Sequence, residues 1–313
     1  MKLSTWKALG GFLLAAILSA PAMAATDTAI PGTLNFVEGQ ASIQNQPLTS
    51  KSVGTADLQT GQTITTDTGR AEVLLTPGVF LRLDNNSAVQ MISPSITNTE
   101  VQLLKGRAEV EVAELHKQND LQVKEGDSVT RLEKTGLYDF SADQNQVRVF
   151  KGEAQVSDGD QTVKVKGGHE LTLTATKLKS ASFDKKSDEN DFYNWSSLRS
   201  EYLSEASANA AQTYIGGAGW IGPGWYWDSA FAGYTFIPGA GMLYSPFGPW
   251  GFYSPGFLYS YGPYFGAPLY WHRPYAGGIY RGYRPTAPHT FAHMGGERAM
   301  GGFHGSGFHG GTR

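Results

Sequence analysis

Apolar and polar residues alternate along the middle of the chain. In Val101 to Val112 and again in Val147 to Val156, aliphatic side chains alternate with charged or polar ones. Side chains of a β-strand switch faces at every residue, so this pattern predicts half-buried strands, with Val110 and Val112 packed and Glu109 and Glu111 on a wet face. The stretch from Leu58 to Val89 carries the same signal: Leu58, Gly61, Ile64 and Thr66, a turn at Thr68-Gly69, a strand Ala71 to Leu75, a turn at Pro77-Gly78, then a strand Val79 to Leu83. Glycine between runs of β-branched and aliphatic residues marks tight turns, because glycine tolerates positive φ. Thr33 to Val37 and Ala41 to Gln44 precede this stretch, and Ala88 to Ile92 follows it, where Pro94 limits pairing for want of an N–H. Glu100 to Leu104 and Arg107 to Val112 read as a hairpin about Lys105-Gly106, and similar runs continue to Thr174. The prediction is all-β: an antiparallel β-sandwich or rolled sheet of about a dozen short strands over residues 25–176. Links this short exclude a purely parallel sheet.

One helix is expected after it, over residues 187–212. Ser187 or Asp188 suits its cap, Glu189 and Asp191 suit the positive end of its dipole, and Phe192, Trp195, Leu198, Tyr202 and Ala206 recur at helical spacing. An aromatic stripe of this kind is expected to cover an open face or end of the β domain, the alternative being a helix that binds a partner.

From residue 213 to 313 the composition changes to glycine, proline and aromatics, with near-repeats such as Tyr244-Ser245-Pro246-Phe247-Gly248 and Tyr253-Ser254-Pro255-Gly256-Phe257. Gly and Pro discourage regular structure and predict an extension that is partly disordered. Its aromatic content departs from ordinary disordered segments and suggests a contact surface made of Trp220, Trp225, Trp227, Tyr244, Trp250, Tyr253, Tyr259, Tyr261, Tyr264 and Trp271. An envelope protein or a polysaccharide is the expected partner.

Charge and cysteine content narrow the function. The 313 residues include no cysteine, which removes disulfides, thiolate chemistry and Cys-bound metal. Ala25 to Gln212 carries 18 basic and 26 acidic side chains, a balance that argues against nucleic acid. At the N-terminus, Lys2 and Lys7, the short apolar run Ala8 to Ala20 and Ala22-Met23-Ala24 read as a signal peptide over residues 1–24, with no membrane span in the chain after its removal. The expected product is exported, to the periplasm or beyond.

His116 and His169 are isolated in the sequence, Glu109 and Glu111 belong to the wet face, and Asp158-Gly159-Asp160 is a turn too short for a calcium loop. His289, His293, His304 and His309 lie in glycine-rich sequence without a scaffold to converge them on a metal. No enzymatic activity, cofactor or metal is expected.

The order Leu58, Gly61, Ile64, Thr66, strand, Pro77-Gly78, strand, then Val101-x-Leu103-x-x-Gly106-x-Ala108, resembles the FecR domain. Val147-x-Val149-x-x-Gly152-x-Ala154-x-Val156 and Val163-x-Val165-x-Gly167-Gly168 are similar to that domain's last repeats, so the resemblance covers Gly32 to Thr174. It implies an all-β exported domain, best known as the periplasmic part of transmembrane regulators of iron-transport sigma factors. This sequence departs from those regulators, with no recognisable sigma-factor-holding helical domain, internal span or receptor-docking domain. The helix and extension look like those of exported FecR-domain proteins with glycine- and aromatic-rich ends. Binding or scaffolding in the envelope is therefore the leading expectation, and signal sensing or regulation the alternative.

Overall fold

The computed structural model describes residues 29–261. Its strands are β1 (Leu34–Ile43), β2 (Gln46–Pro47), β3 (Thr63–Leu74), β4 (Val79–Leu83), β5 (Ala88–Ser95), β6 (Asn98–Lys105) and β7 (Arg107–Val112). They continue as β8 (Asp120–Glu125), β9 (Ser128–Leu132), β10 (Gly136–Ser141), β11 (Gln146–Lys151), β12 (Glu153–Asp158), β13 (Gln161–Lys166), β14 (His169–Thr172) and β15 (Ala181–Ser182). All belong to one 15-stranded sheet.

The long strand β3 is the pivot. On one edge it pairs with β1 along most of its length. On the other edge Thr63 to Thr65 pair with β5, whereas Ala71 to Leu74 pair with β4. The sheet therefore forks into two wings, β5-β6-β8-β9-β12-β13 and β4-β7-β10-β11-β14-β15. The wings fold toward each other over a shared core, in which Leu81, Val110, Tyr138 and Val149 of one meet Met91, Val101, Leu103, Val123 and Val156 of the other. This is the rolled form of the expected all-β fold.

Several local expectations change. Thr68-Gly69 is not a turn: β3 runs straight through it. Gly69 is needed for close approach, since a Cβ there would lie 2.4 Å from the Glu38 carbonyl oxygen and 2.6 Å from the Gln40 nitrogen of β1. Lys105-Gly106 is a corner, because β6 pairs with β5 and β8 while β7 pairs with β4 and β10. Gly106, at φ +74°, turns the chain out of one wing and into the other; its N–H donates to Asp143 Oδ1 at 3.0 Å. Pro94 stays within β5, opposite Thr99, beside a register shift between Met91 and Ser93. The sheet is mixed, since β6 and β8 run parallel, joined through the β7 excursion.

A second layer lies on the outer face of the β4 wing. It consists of α1 (Asp191–Gln212), the hairpins β16 (Gly224–Asp228) with β17 (Gly233–Ile237) and β18 (Met242–Tyr244) with β19 (Gly251–Tyr253), and α2 (Pro255–Tyr261). The α1 cap is Asn190, whose side chain accepts from the Phe192 and Tyr193 N–H groups. Ser187 is used elsewhere, donating to the Asp184 carbonyl. Phe192 and Trp195 turn inward as expected, but Tyr202 is 46% exposed. Leu203 of α1 packs with Leu74, Phe80, Trp225, Phe236 and Phe252 in an apolar cluster between the layers. Within the described residues the extension forms two hairpins and a short helix. Among the described residues no helix is long and apolar enough to cross a membrane.

Gly69→Ala is expected to destabilise the protein by about 3 kcal/mol, because backbone atoms on β1 must move. Gly126→Ala, at φ +57° with open space around it, should cost only about 1–2 kcal/mol. Urea unfolding of the two variants checks the order.

Candidate functional site

The outer face of the β4 wing carries a row of charged residues in register. Glu72 stands opposite Arg82, Arg82 opposite Glu109, Glu109 opposite Asp139, Asp139 opposite Arg148, and Arg148 opposite Glu170. The strands alternate: Val79, Leu81 and Leu83 of β4 face the inner core, so Phe80 and Arg82 face outward, and Ala108, Val110 and Val112 of β7 turn Glu109 and Glu111 outward in the same way. The face is not wet, as alternation alone suggests. Glu72, Arg82, Glu109, Glu111 and Asp139 are each 0% exposed because α1 and the aromatic hairpins cover them.

The layers are joined by charge-assisted hydrogen bonds. Arg82 donates through Nε to Glu72 Oε2 and through Nη2 to Glu111 Oε2, both at 2.8 Å. From α1, Arg199 Nη2 donates to Glu72 Oε1 at 2.8 Å and Ser200 Oγ to Glu111 Oε1 at 2.7 Å. Ser245 Oγ donates to the same Glu111 oxygen at 2.8 Å, and Asn35 Nδ2 to Glu72 Oε1 at 2.9 Å. Asn35 also ties β1 to β17, donating to the Tyr234 carbonyl and accepting from its N–H. Ser204 and Ser207 of α1 donate to the Gly251 and Phe236 carbonyls. The Arg199 guanidinium lies 4.1 Å from the Phe36 ring centre and 4.9 Å from that of Phe231.

Electrostatics differ sharply along the row. Burial pushes Glu72 upward, but the Arg199 and Arg82 charges and the hydrogen bonds from Arg199 and Asn35 outweigh it and hold the carboxyl below its ordinary value. Glu109 goes the other way: burial first and the Asp139 charge second push it up to about 8. Asp139 is also raised, by burial, although Arg107 Nε donates to its Oδ2 at 2.6 Å. Glu125 on β8, in the other wing, is pushed up to about 8, by burial first and by the Asp139 charge second.

Those predicted contact residues that the structure describes divide into two groups. Trp225 is buried in the interlayer cluster, Trp250 donates through Nε1 to Ser200 Oγ, and Trp220 and Tyr253 pack around Ala211, Ile237 and Leu258. These build the second layer. Trp227, Tyr244, Tyr259 and Tyr261 remain at the surface. Tyr264, Trp271 and the four C-terminal histidines His289, His293, His304 and His309 lie outside the described residues. His116 sits after β7, with Nε2 3.6 Å from Glu114 Oε2, and His169 sits on β14, so the fold does not bring them together. Asp158 and Asp160 flank the β12–β13 turn.

The sequence reading missed Arg82, Arg199, Asn35 and the α1 serines. A signal was there: a charge in the middle of Val-Phe-Leu-Arg-Leu and Leu-Tyr-Asp-Phe, and Ser196, Ser200 and Ser204 at intervals of four.

Residues 62–155 match the family model described as FecR protein. That span holds β3 to β11 and the charged row from Glu72 to Arg148. A search of curated proteins gives no match. The chain is similar to two crystal structures of a "putative anti-sigma factor" from Parabacteroides distasonis ATCC 8503. One shares 12% identity over 44% of this chain and 64% of that one, with a TM-score of 0.35. The other shares 12% over 57% and 99%, with a TM-score of 0.36. The match thus spans just under two thirds of the first of these structures, and the fold assignment rests on the strand register alone.

Arg82→Ala leaves Glu111 buried without its guanidinium and should cost about 3–5 kcal/mol in urea unfolding, whereas Arg131→Ala, at an exposed pair, should cost about 0–1. Because Glu72 is lowered from an ordinary value of 4.5, its stabilisation is complete above that pH and disappears as pH falls through the folded value. Acid unfolding of Glu72→Gln should accordingly be less steep than that of the wild type.

Proposed function

We propose that this chain, whose residues 62–155 are a FecR domain, is an exported, non-enzymatic protein of the cell envelope that works by binding. The observation that carries this reading is the exposure of large aromatic side chains on a folded support. Trp227 is 43% exposed, Tyr244 64%, Tyr259 69% and Tyr261 51%. Each belongs to the second layer, which the buried charges and serines hold to the FecR domain. A rigid support lowers the ordering cost of binding, and aromatic faces with hydroxyl groups suit stacking on sugar rings or on a partner protein's aromatics. Trp227 is itself seated, with its ring against Gly54, where a Cβ would come within 2.7 Å of Cζ3. Export is supported by the Lys2, Lys7, apolar-run and Ala22-Met23-Ala24 pattern.

The FecR match favours a second reading, regulation, in which the same surface meets a membrane-spanning protein and relays a signal. Crosslinking in intact cells separates the two: a membrane-spanning protein as the main adduct supports regulation, and glycan or general envelope adducts support scaffolding.

Changing Trp227, Tyr244, Tyr259 and Tyr261 together to Ala should lower retention in the envelope fraction several-fold. Tm should move by less than about 5 °C, because exposed residues contribute little to stability. Unchanged retention would refute the aromatic surface as the point of contact.

A further inference from the structure

We infer that Glu109 and Asp139, facing each other across β7 and β10 beneath α1, form a proton-binding site whose occupancy holds α1 against the sheet. The two acids are direct register partners, and both are fully covered. Neither Glu109 oxygen receives a hydrogen bond of good geometry, and the polar group that α1 presents to it is the buried Ser196 hydroxyl, close enough to favour its charged form only weakly against burial. Two carboxylates set side by side away from water cannot both keep their charge cheaply, so one takes a proton.

The surrounding charges decide which one. Arg107, on the same strand as Glu109, donates to Asp139. On β4, Arg82 bonds Glu72 and Glu111 through Nε and Nη2, its Nη1 is left without a hydrogen-bond partner, and on β8 Glu125 adds negative charge felt by Asp139. On β11, Arg148 lies 3.7 Å from Asp139 Oδ1, and it also pairs with Glu170 of β14 and approaches Asp188 at 4.0 Å. From α1, Arg199 goes to Glu72. Asp84 adds negative charge near Arg107 and is itself paired with Arg70. Asp139 thus takes the bonded guanidinium of Arg107, and Glu109, which Arg107 and Arg82 influence without a direct bond, is left to hold the proton. Burial and Asp139 raise it to about 8, against the opposing influence of Ser196, Arg107 and Arg82.

The sign follows from linkage. With α1 in place Glu109 titrates near 8, and freed to water it returns toward its ordinary 4.5. Docking therefore binds one proton between those values. Its advantage is complete below the lower value and falls about tenfold per pH unit until the upper one is passed. Alkaline conditions loosen α1, with its aromatic hairpins, from the FecR domain. This inference does not depend on what the exposed aromatics bind.

Hydrogen exchange of the full chain between pH 5.5 and 8.5, corrected for intrinsic rates, tests it. Protection within α1 should fall about tenfold per pH unit relative to β3 and β4. Glu109→Gln should abolish that dependence, and Glu125→Gln, which removes a raised glutamate on the opposite wing, should leave it intact. A wild-type α1 indifferent to pH, a Glu109→Gln variant that keeps the slope, or equal loss across the sheet would overturn the inference. If Glu109→Gln does not fold, carboxyl carbon titration by NMR in Glu125→Gln decides: a glutamate titrating near 8 supports the site, and all glutamates titrating below 6 reject it.

Discussion

The ion pairs between Arg82 and the carboxylates of Glu72 and Glu111 are the constraint that the upper layer answers to. Three charges withdrawn from water cost several kcal/mol each unless their remaining lone pairs and protons find partners. Arg199, Ser200, Ser245 and Asn35 supply those partners from three separate segments of chain. Apolar contact alone would let α1 slide along the sheet. Directional bonds to two fixed carboxylates set its position, and the cluster around Phe80, Phe236 and Phe252 then seals the site from solvent.

The fork at β3 makes such a face available. Because β4 and β5 share one edge of β3, the two wings enclose the aliphatic halves of their strands, and each wing has an outer surface of its own. In the β4 wing that outer surface is charged in register and roofed. The FecR match and the roof therefore meet along one row of side chains, running from Glu72 to Arg148 inside the matched span.

Strand identity was legible in the sequence because alternation survives wherever one face is apolar, as in Val147 to Val156. Pairing was less so. Thr68-Gly69 and Lys105-Gly106 both look like turn glycines, yet one accommodates a neighbouring backbone and the other steers the chain across the core; a dipeptide does not distinguish these uses. The outer face was misread for a different reason. Glu109 and Glu111 alternate with valines as solvated residues do, and only the distant Ser196, Ser200 and Ser245 reveal that they are covered. The low-complexity look of the extension likewise hid its ordered hairpins, since Gly, Pro and aromatics are poor regular formers but good pieces for short strands packed on an existing surface.

The chain visits the two wings by turns: β4, then β5 and β6, then β7, then β8 and β9, then β10 and β11, then β12 and β13, then β14. No wing corresponds to a continuous stretch of polypeptide, so neither can be finished while the other is missing. Each wing is completed only by strands drawn from the whole length of the domain. Such a body resists being cut into smaller autonomous modules, and a break at any corner near the middle would leave both wings with frayed edges at once.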